Sequence, residues 1–235
     1  MSLSQMSNLP YWAYFIQEVI LPRVRCLREV YNRRILSAFE GLEEEARRIR
    51  EKEWERLISQ PADPEGDTDL SDLAEAAQEV ATSHYISLKE IQQGIINLST
   101  VHIYHLFEQE LLFIFRNEAL PHPPSDPKLP EVVNWFKSSG IELESFRSWP
   151  NLDELRLVAN VVKHADGPSA NKLRSLRPDM FVPPEDDFLR KLPPPTCVFR
   201  PLVGEDLYVT TDEINLYFGA VEDFWRELID KLKIL

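Results

Sequence analysis

Cysteine and glycine are both scarce in this chain of 235 residues. The two cysteines, Cys26 and Cys197, show neither the spacing of a metal site nor that of a redox pair. They indicate a reducing compartment and no disulfide framework. The seven glycines form no glycine-rich phosphate loop, and neither a serine nucleophile elbow nor a Cys/His zinc pattern is present. Several common nucleotide-binding and hydrolase signatures are therefore excluded.

The chain also lacks a long, uncharged hydrophobic run. Its most apolar stretch, residues 95–115, is interrupted by two histidines and two glutamates, so we do not expect it to span a membrane. The N-terminus has no basic region followed by an apolar core, and no signal peptide is predicted. With 43% hydrophobic residues the chain can bury a proper core. We expect one cytoplasmic domain over residues 1–235.

Positive charge is in short supply, with 26 Lys and Arg against 39 Asp and Glu, a net charge of −13. Because phosphate attraction rests on Lys and Arg, general DNA binding is not expected. The charge is uneven, however, since residues 151–177 carry five basic and three acidic side chains. Such a local patch can hold a few phosphates. A solvated charged face is the alternative interpretation.

Hydrophobic periodicity predicts an all-α fold, a helical bundle. Proline-rich and polar clusters separate segments whose apolar residues recur at spacings of three and four, the period of an amphipathic helix. The predicted helices cover residues 11–21, 23–59, 70–120, 131–138, 151–165, 169–177 and 211 to the C-terminus. Residues 178–206 are rich in proline and are expected to wrap the surface, followed by a short extended piece at 207–210.

The two longest predicted helices are expected to form an antiparallel hairpin, with residues 40–80 projecting as its tip. The first carries a coiled-coil-like apolar stripe made of Ile35, Phe39, Leu42, Ala46 and Ile49. The second continues the alternation with residues that include Leu70, Ala77, Leu88, Ile91, Leu98, His102 and Leu112. The part around residues 95–115 is apolar nearly all round, and we expect it at the centre of the bundle.

The segment 151–167 carries the most informative pattern of the chain. Leu152, Leu155, Val158 and Val162 form one apolar face. Arg156, Asn160 and His164 follow at i, i+4 and i+8 and share another face. A cation, an amide and an imidazole on one face are groups that RNA cleavage without a metal needs. The simpler interpretation is a helix whose basic C-terminus complements its dipole.

The pattern Asn160-x-x-Lys163-His164 followed by Asp166-Gly167, on a late helix of an all-helical chain, resembles the signature of the HEPN superfamily. Members are small helical bundles, and many are metal-independent ribonucleases of prokaryotic toxin–antitoxin and antiviral defence systems. The resemblance covers about residues 95–180. The family pattern places an Arg, which binds the scissile phosphate, directly before the polar residue. Here Ala159 stands at that position.

The resemblance implies a HEPN-like, metal-independent endoribonuclease that needs no cofactor. His164 is expected to act as acid or base, since histidine titrates near working pH. Asn160 is expected to position a phosphate oxygen or the His ring. Arg156 or Lys163 is expected to bind the phosphate. In the basic stretch that follows, Lys172 and Arg174 are expected to add substrate contacts.

Two polar residues of the predicted central helix, His105 and Glu108, are expected near the predicted helix at residues 151–165. His102 and His105 form a His-x-x-His pattern, which is weak evidence for a metal site, and no metal is expected. Instead, His105 or Glu108 is expected to orient His164 or to line the polar cleft. The resemblance also implies a homodimer whose twofold axis brings both copies of the site together, with RNA and a cognate antitoxin or defence partner.

Ala159 leaves other hypotheses open besides the enzyme. In one, the loss of the Arg has left a catalytically inactive HEPN-like module that binds RNA, a nucleotide or a protein partner. In another, the hairpin mediates assembly of a structural subunit. The conformation of Arg156 separates the first two hypotheses, because a salt bridge to Asp153 would weaken the case for catalysis.

Overall fold

Helices build the computed structural model, which describes residue 6 and residues 8–60, 69–118, 127–184 and 195–234. The α-helices are α1 (Leu9–Phe15), α2 (Leu21–Val30), α3 (Leu42–Ile58), α4 (Leu70–Glu118), α5 (Leu129–Ser138), α6 (Trp149–His164), α7 (Pro168–Leu176) and α8 (Thr211–Ile234). Short 3-10 turns lie at Leu143–Ser145, Pro178–Phe181 and Pro201–Val203. The described residues include no β-strand, and the predicted all-α helical bundle is confirmed. None of the described helices has the length and apolarity needed to cross a membrane.

The N-terminal helices are divided differently from the prediction. α1 continues into α2 through a π-helical turn at Ile16–Ile20, so Pro22 lies in the first turn of α2 and does not separate two helices. Proline is tolerated in a first turn because it lacks only an N–H that need not be paired there. The break comes instead at Gly41, whose φ of 76° is left-handed. The predicted single helix 23–59 is therefore wrong.

The segment from α1 to α3, called here the N-terminal arm, lies antiparallel along α4. Near the tip, the His84 ring lies 3.0 Å from the carboxylate of Glu45. At the opposite end, the Trp12 indole N–H donates to the carboxylate of Glu118. The predicted antiparallel pairing is thus present over the whole length of α4. The projection of residues 40–80 as a separate tip stays a prediction.

α4 is the central helix, in contact with α3, α5, α6 and α8. Its buried face includes Ile96, Asn97, Thr100, Ile103, Tyr104, Phe107, Leu111, Ile114 and Phe115. The predicted stripe on α4 is wrong at several positions, because Leu70, Ile91 and Leu98 are 64%, 52% and 53% exposed and His102 is exposed. A coiled-coil repeat drifts by about 20° per heptad on a straight α-helix, and here several neighbours share the packing surface.

The described parts of the proline-rich segment run across the surface of the bundle and insert some side chains into the core. Exposed residues there include Phe199, Leu202 and Val203, and buried residues there and just after it are Met180, Phe181, Val182, Val198, Pro201, Leu207 and Val209. The buried amide of Asn97 donates to the carbonyls of Pro201 and Leu207 at 2.7 and 2.8 Å. These bonds hold the segment across α4, because a buried amide without partners would be costly. Residues 185–194 lie outside the described part.

Two glycines allow this segment to touch the backbone of α4. A Cβ at Gly94 would collide with the carbonyl of Leu202, and a Cβ at Gly204 would collide with the carbonyl of Glu90. Gly204 also has a φ of 91°, which side chains rarely adopt. α4 stays helical through Gly94, and the glycine there serves the close approach of the two backbones.

We expect Gly94→Ala to destabilise the protein by about 2 kcal/mol, because overpacking against a fixed backbone outweighs the gain in helix propensity. Gly219→Ala in α8 is the matched control, since its Cβ meets nothing within 4 Å, and we expect a gain of about 0.5 kcal/mol. Urea unfolding of both variants measures the difference. Equal effects of the two substitutions would contradict the close approach at Gly94.

Candidate functional site

α6 presents two different faces, as its sequence predicts. Its inner side is buried against α4 and α8 and consists of Leu152, Leu155, Leu157, Val158, Ala159, Val161 and Val162. On the outer side, Arg156 and Asn160 are half-buried, while Lys163 and His164 are exposed. The packing of the inner side therefore fixes the outer side chains along one margin of the bundle.

Both ends of α6 are held in place. At its N-terminus, the carboxylate of Glu227 on α8 accepts hydrogen bonds from the backbone N–H groups of Arg147 and Ser148 at 2.8 and 3.1 Å. A carboxylate at this positive helix end is favourable. At the other end the helix stops at His164, because Ala165 turns to a φ of 56°. His164 is thus the last helical residue and reaches solvent.

Arg156 is engaged in a salt bridge with Asp153. Its Nε and Nη2 atoms donate to the same carboxylate oxygen, at 2.9 and 2.6 Å. The charge of the guanidinium is therefore neutralised locally. Ala159, at the position of the family's Arg, is only 1% exposed and faces the core. Neither position offers a free guanidinium, so the case for Arg156 as the phosphate cation is weakened.

A chain of hydrogen bonds instead connects Lys163 to α4. Lys163 Nζ lies 3.2 Å from His105 Nε2, and His105 Nδ1 lies 3.0 Å from Glu108 Oε2. The other oxygen of Glu108 accepts a hydrogen bond from the Tyr104 hydroxyl at 3.1 Å. His105 and Glu108 thus lie beside α6, as expected, but His105 contacts Lys163 and not His164. Tyr104 is a further member of this cluster, and its position four residues before Glu108, on the same helix face, is the signal that could have identified it.

The electrostatics of this chain keep Tyr104 a donor. Burial, followed by the charge of Glu108, raises the pKa of Tyr104 well above its usual range. The hydroxyl therefore stays protonated at neutral pH and keeps donating to the carboxylate. The charged pair Arg156–Asp153 also lies near Tyr104 and acts on it. One margin between α4 and α6 thus gathers six titratable side chains: Tyr104, His105, Glu108, Asp153, Arg156 and Lys163.

The remaining predicted substrate contacts differ in availability. Arg174 is mostly buried, donates to Asn171 and Asp166, and lies 5.0 Å above the ring of Phe181. It is therefore used in packing α7. Lys172 is exposed and forms no hydrogen bond or ion pair with any other described residue. The same holds for the side chains of Asn160 and His164, within the described part of the chain.

Arg177 joins three elements of the bundle, a role that the sequence analysis missed. Its guanidinium donates to Glu154 on α6 at 2.8 Å, to Asp179 at 2.7 Å, and to Glu213 on α8. Tyr217 donates to the same Glu154 oxygen at 2.8 Å. The hydrogen bond to Asp179 is the main cause that raises the pKa of Arg177. Since the partners on α6 and α8 are 23 and 36 residues away, no local pattern indicates them.

The fold and the site define a class of protein, an all-α bundle with a cluster of polar side chains between α4 and α6. No group of three or more His, Cys, Asp or Glu among the described residues is placed to hold a metal. No family model, curated protein or solved structure matches the chain. Membership of the HEPN superfamily therefore stays a prediction.

We expect Arg177→Gln to destabilise the protein by about 2 kcal/mol or more, because it leaves the carboxylates of Glu154 and Glu213 without their cation. The control is Arg47→Gln, which removes an exposed i,i+3 pair with Glu44 and should cost less than about 0.5 kcal/mol. Urea unfolding at neutral pH compares them. Equal losses would show that Arg177 is no more than a surface charge.

Proposed function

We propose that this protein is a HEPN-like, metal-independent endoribonuclease in which Lys163 binds the scissile phosphate. The observation that supports this most directly is the position of Lys163. It is exposed, it is adjacent to His164, and it contacts the ring of His105 at 3.2 Å. It pairs with no carboxylate among the described residues. Its positive charge therefore remains available to a phosphate.

The residues of α6 match the requirements of the reaction. A cation must stabilise the charge that grows on the phosphate, and an ammonium group does so without a metal. Imidazoles transfer protons near neutral pH. His164, exposed at the end of the helix, can reach a bound RNA, and Asn160 lies one turn before it to position a phosphate oxygen. Exposed Lys172 follows on α7 as a further backbone contact.

Arg156 has at most a supporting part in this proposal. Its guanidinium is directed at Asp153, and a phosphate would have to compete with that carboxylate. Exposed i,i+3 pairs are weak, so such competition is not forbidden. The more direct assignment nevertheless gives the phosphate to Lys163, which has no competing anion in the described structure.

An inactive RNA-binding module is the second candidate, and the Arg156–Asp153 pair with the buried Ala159 favours it. In that case Lys163 and Lys172 hold the backbone of a confined RNA, such as a folded loop, without cleaving it. A role in a prokaryotic toxin or defence system, a cytoplasmic location, a homodimer and a cognate antitoxin or defence partner are proposed from the sequence and the resemblance alone.

Purified protein is expected to cleave mixed cellular RNA in EDTA, and His164→Ala is expected to abolish the cleavage, because the proton-transfer group at the end of α6 is lost. A gel of the reaction products measures this. His102→Ala, an exposed histidine on α4, is the control and should cleave like the wild type. No cleavage by well-folded wild type, together with retained RNA binding, would favour the inactive module.

Lys163→Met should lower kcat/KM by about 10²–10³-fold, since one stabilising charge on the transition state is removed. Arg156→Met should lower it by less than about 5-fold, because its charge is already compensated by Asp153. Steady-state kinetics on one defined RNA compares the two. A larger loss of kcat/KM for Arg156→Met than for Lys163→Met would assign the phosphate contact to Arg156 instead.

A further inference from the structure

His105 has the geometry of a general base. Its ring is 32% exposed and its partner Glu108 is 23% exposed, so both side chains are partly accessible. We propose that His105, oriented by Glu108, is the second proton-transfer group of the site, and that it acts with the Lys163 and His164 of the same chain. This inference rests on the proposed ribonuclease function and goes beyond the orienting role that the sequence suggested.

The contacts of His105 determine where its proton lies. A lysine ammonium can only donate, and an ionised carboxylate can only accept. The contacts of His105 with Lys163 and Glu108 are satisfied together only by a neutral ring with its proton on Nδ1, donated to Glu108. The lone pair is then on Nε2, at the side that faces α6. A neutral imidazole with a free lone pair is the form that a base requires.

Glu108 is held rigidly enough to direct the ring. One oxygen receives the His105 Nδ1–H and the other receives the Tyr104 hydroxyl. A carboxylate behind an imidazole keeps the productive tautomer and stabilises the imidazolium that forms when the ring takes a proton. All three side chains stand on the central helix α4, so their relative positions do not depend on a loop.

Lys163 and His164 complete the arrangement from α6. On substrate binding, the ammonium of Lys163 moves from His105 Nε2 to a non-bridging phosphate oxygen, which frees the lone pair. His164 lies exposed at the end of α6, next to Lys163. In this proposal His164 is the acid and His105 is the base.

The resulting step balances without a metal or a co-reactant. His105 Nε2 takes the proton of the ribose 2′-OH, and the 2′-oxygen forms a bond to phosphorus. The bond from phosphorus to the 5′-oxygen breaks, and His164 gives its proton to that oxygen. The products are a 2′,3′-cyclic phosphate and a 5′-hydroxyl, with the two imidazoles left in exchanged protonation states.

His105→Ala should lower kcat by about 10²–10⁴-fold and change KM by less than about 3-fold, whereas His102→Ala should leave both unchanged. Glu108→Gln should lower kcat by about 10-fold or more, because the amide stabilises an imidazolium less well. The assay uses one labelled RNA oligonucleotide in EDTA. If His164→Ala is inactive while His105→Ala cleaves at the wild-type rate, this inference fails and the proposed function stands. If wild type does not cleave, both fail.

A substrate with sulfur in place of the 5′-oxygen separates the two roles, because a thiolate leaves without an acid. It should restore cleavage by His164→Ala and not by His105→Ala. Restoration of His105→Ala alone would overturn the assignment of base and acid. Circular dichroism of His105→Ala and His164→Ala should show the wild-type fold, since both histidine side chains are at least partly exposed.

Mixing the two inactive variants tests whether the site lies within one chain. Equal amounts of His105→Ala and His164→Ala should remain inactive, since no chain carries both imidazoles. Recovery of about a quarter of the wild-type activity is the result expected for a site shared across a twofold interface, because half of the random dimers would contain one intact site. Such recovery would overturn the single-chain site.

Discussion

The burial of α4 among the other helices is the constraint on which the rest of the structure depends. The helix contacts the N-terminal arm on one side and α5, α6 and α8 on others, so most positions along its second half are buried or half-buried. Polar groups there have to be satisfied from those neighbours. His105 and Glu108 lie on the margin beside α6, where burial is incomplete, and this placement makes them accessible.

Salt bridges within the bundle neutralise part of the positive charge that the sequence carries at residues 151–177. Buried or half-buried carboxylates need a cation or donor nearby, and arginines of other elements supply it: Arg23 pairs with Glu110, Arg28 with Glu222, and Arg177 with Glu154. Arg174 is likewise occupied in packing. Within the described part of the basic stretch, Lys163 and Lys172 are the cations left without a carboxylate. A small substrate contact fits this better than an extended nucleic-acid surface.

The proposed site follows from these two facts together. α6 packs against α4 through its apolar face, which brings Lys163 onto His105. The same packing turns Ala159 into the core, so an Arg at that position would have to bury its charge. In the proposed site the cation is Lys163, one turn later on the helix, where it contacts His105 of α4. The interpretation of the chain as an enzyme therefore depends on Lys163 acting in place of the Arg that the family pattern has where this chain has Ala159.

The sequence by itself determined the all-α class and the bounds of α4 to α8 to within a few residues. It also determined the face shared by Arg156, Asn160 and His164. These features follow from helix periodicity and turn residues, which are local properties of the chain. Tertiary structure decided what lies across from those faces. The contact of Lys163 with His105 joins residues 58 positions apart, and the position of residues 201–209 across α4 depends on the buried amide of Asn97. Hydrogen bonds and close packing act over a few ångströms in space. The spacing of residues along the chain does not indicate which distant side chains will come into contact.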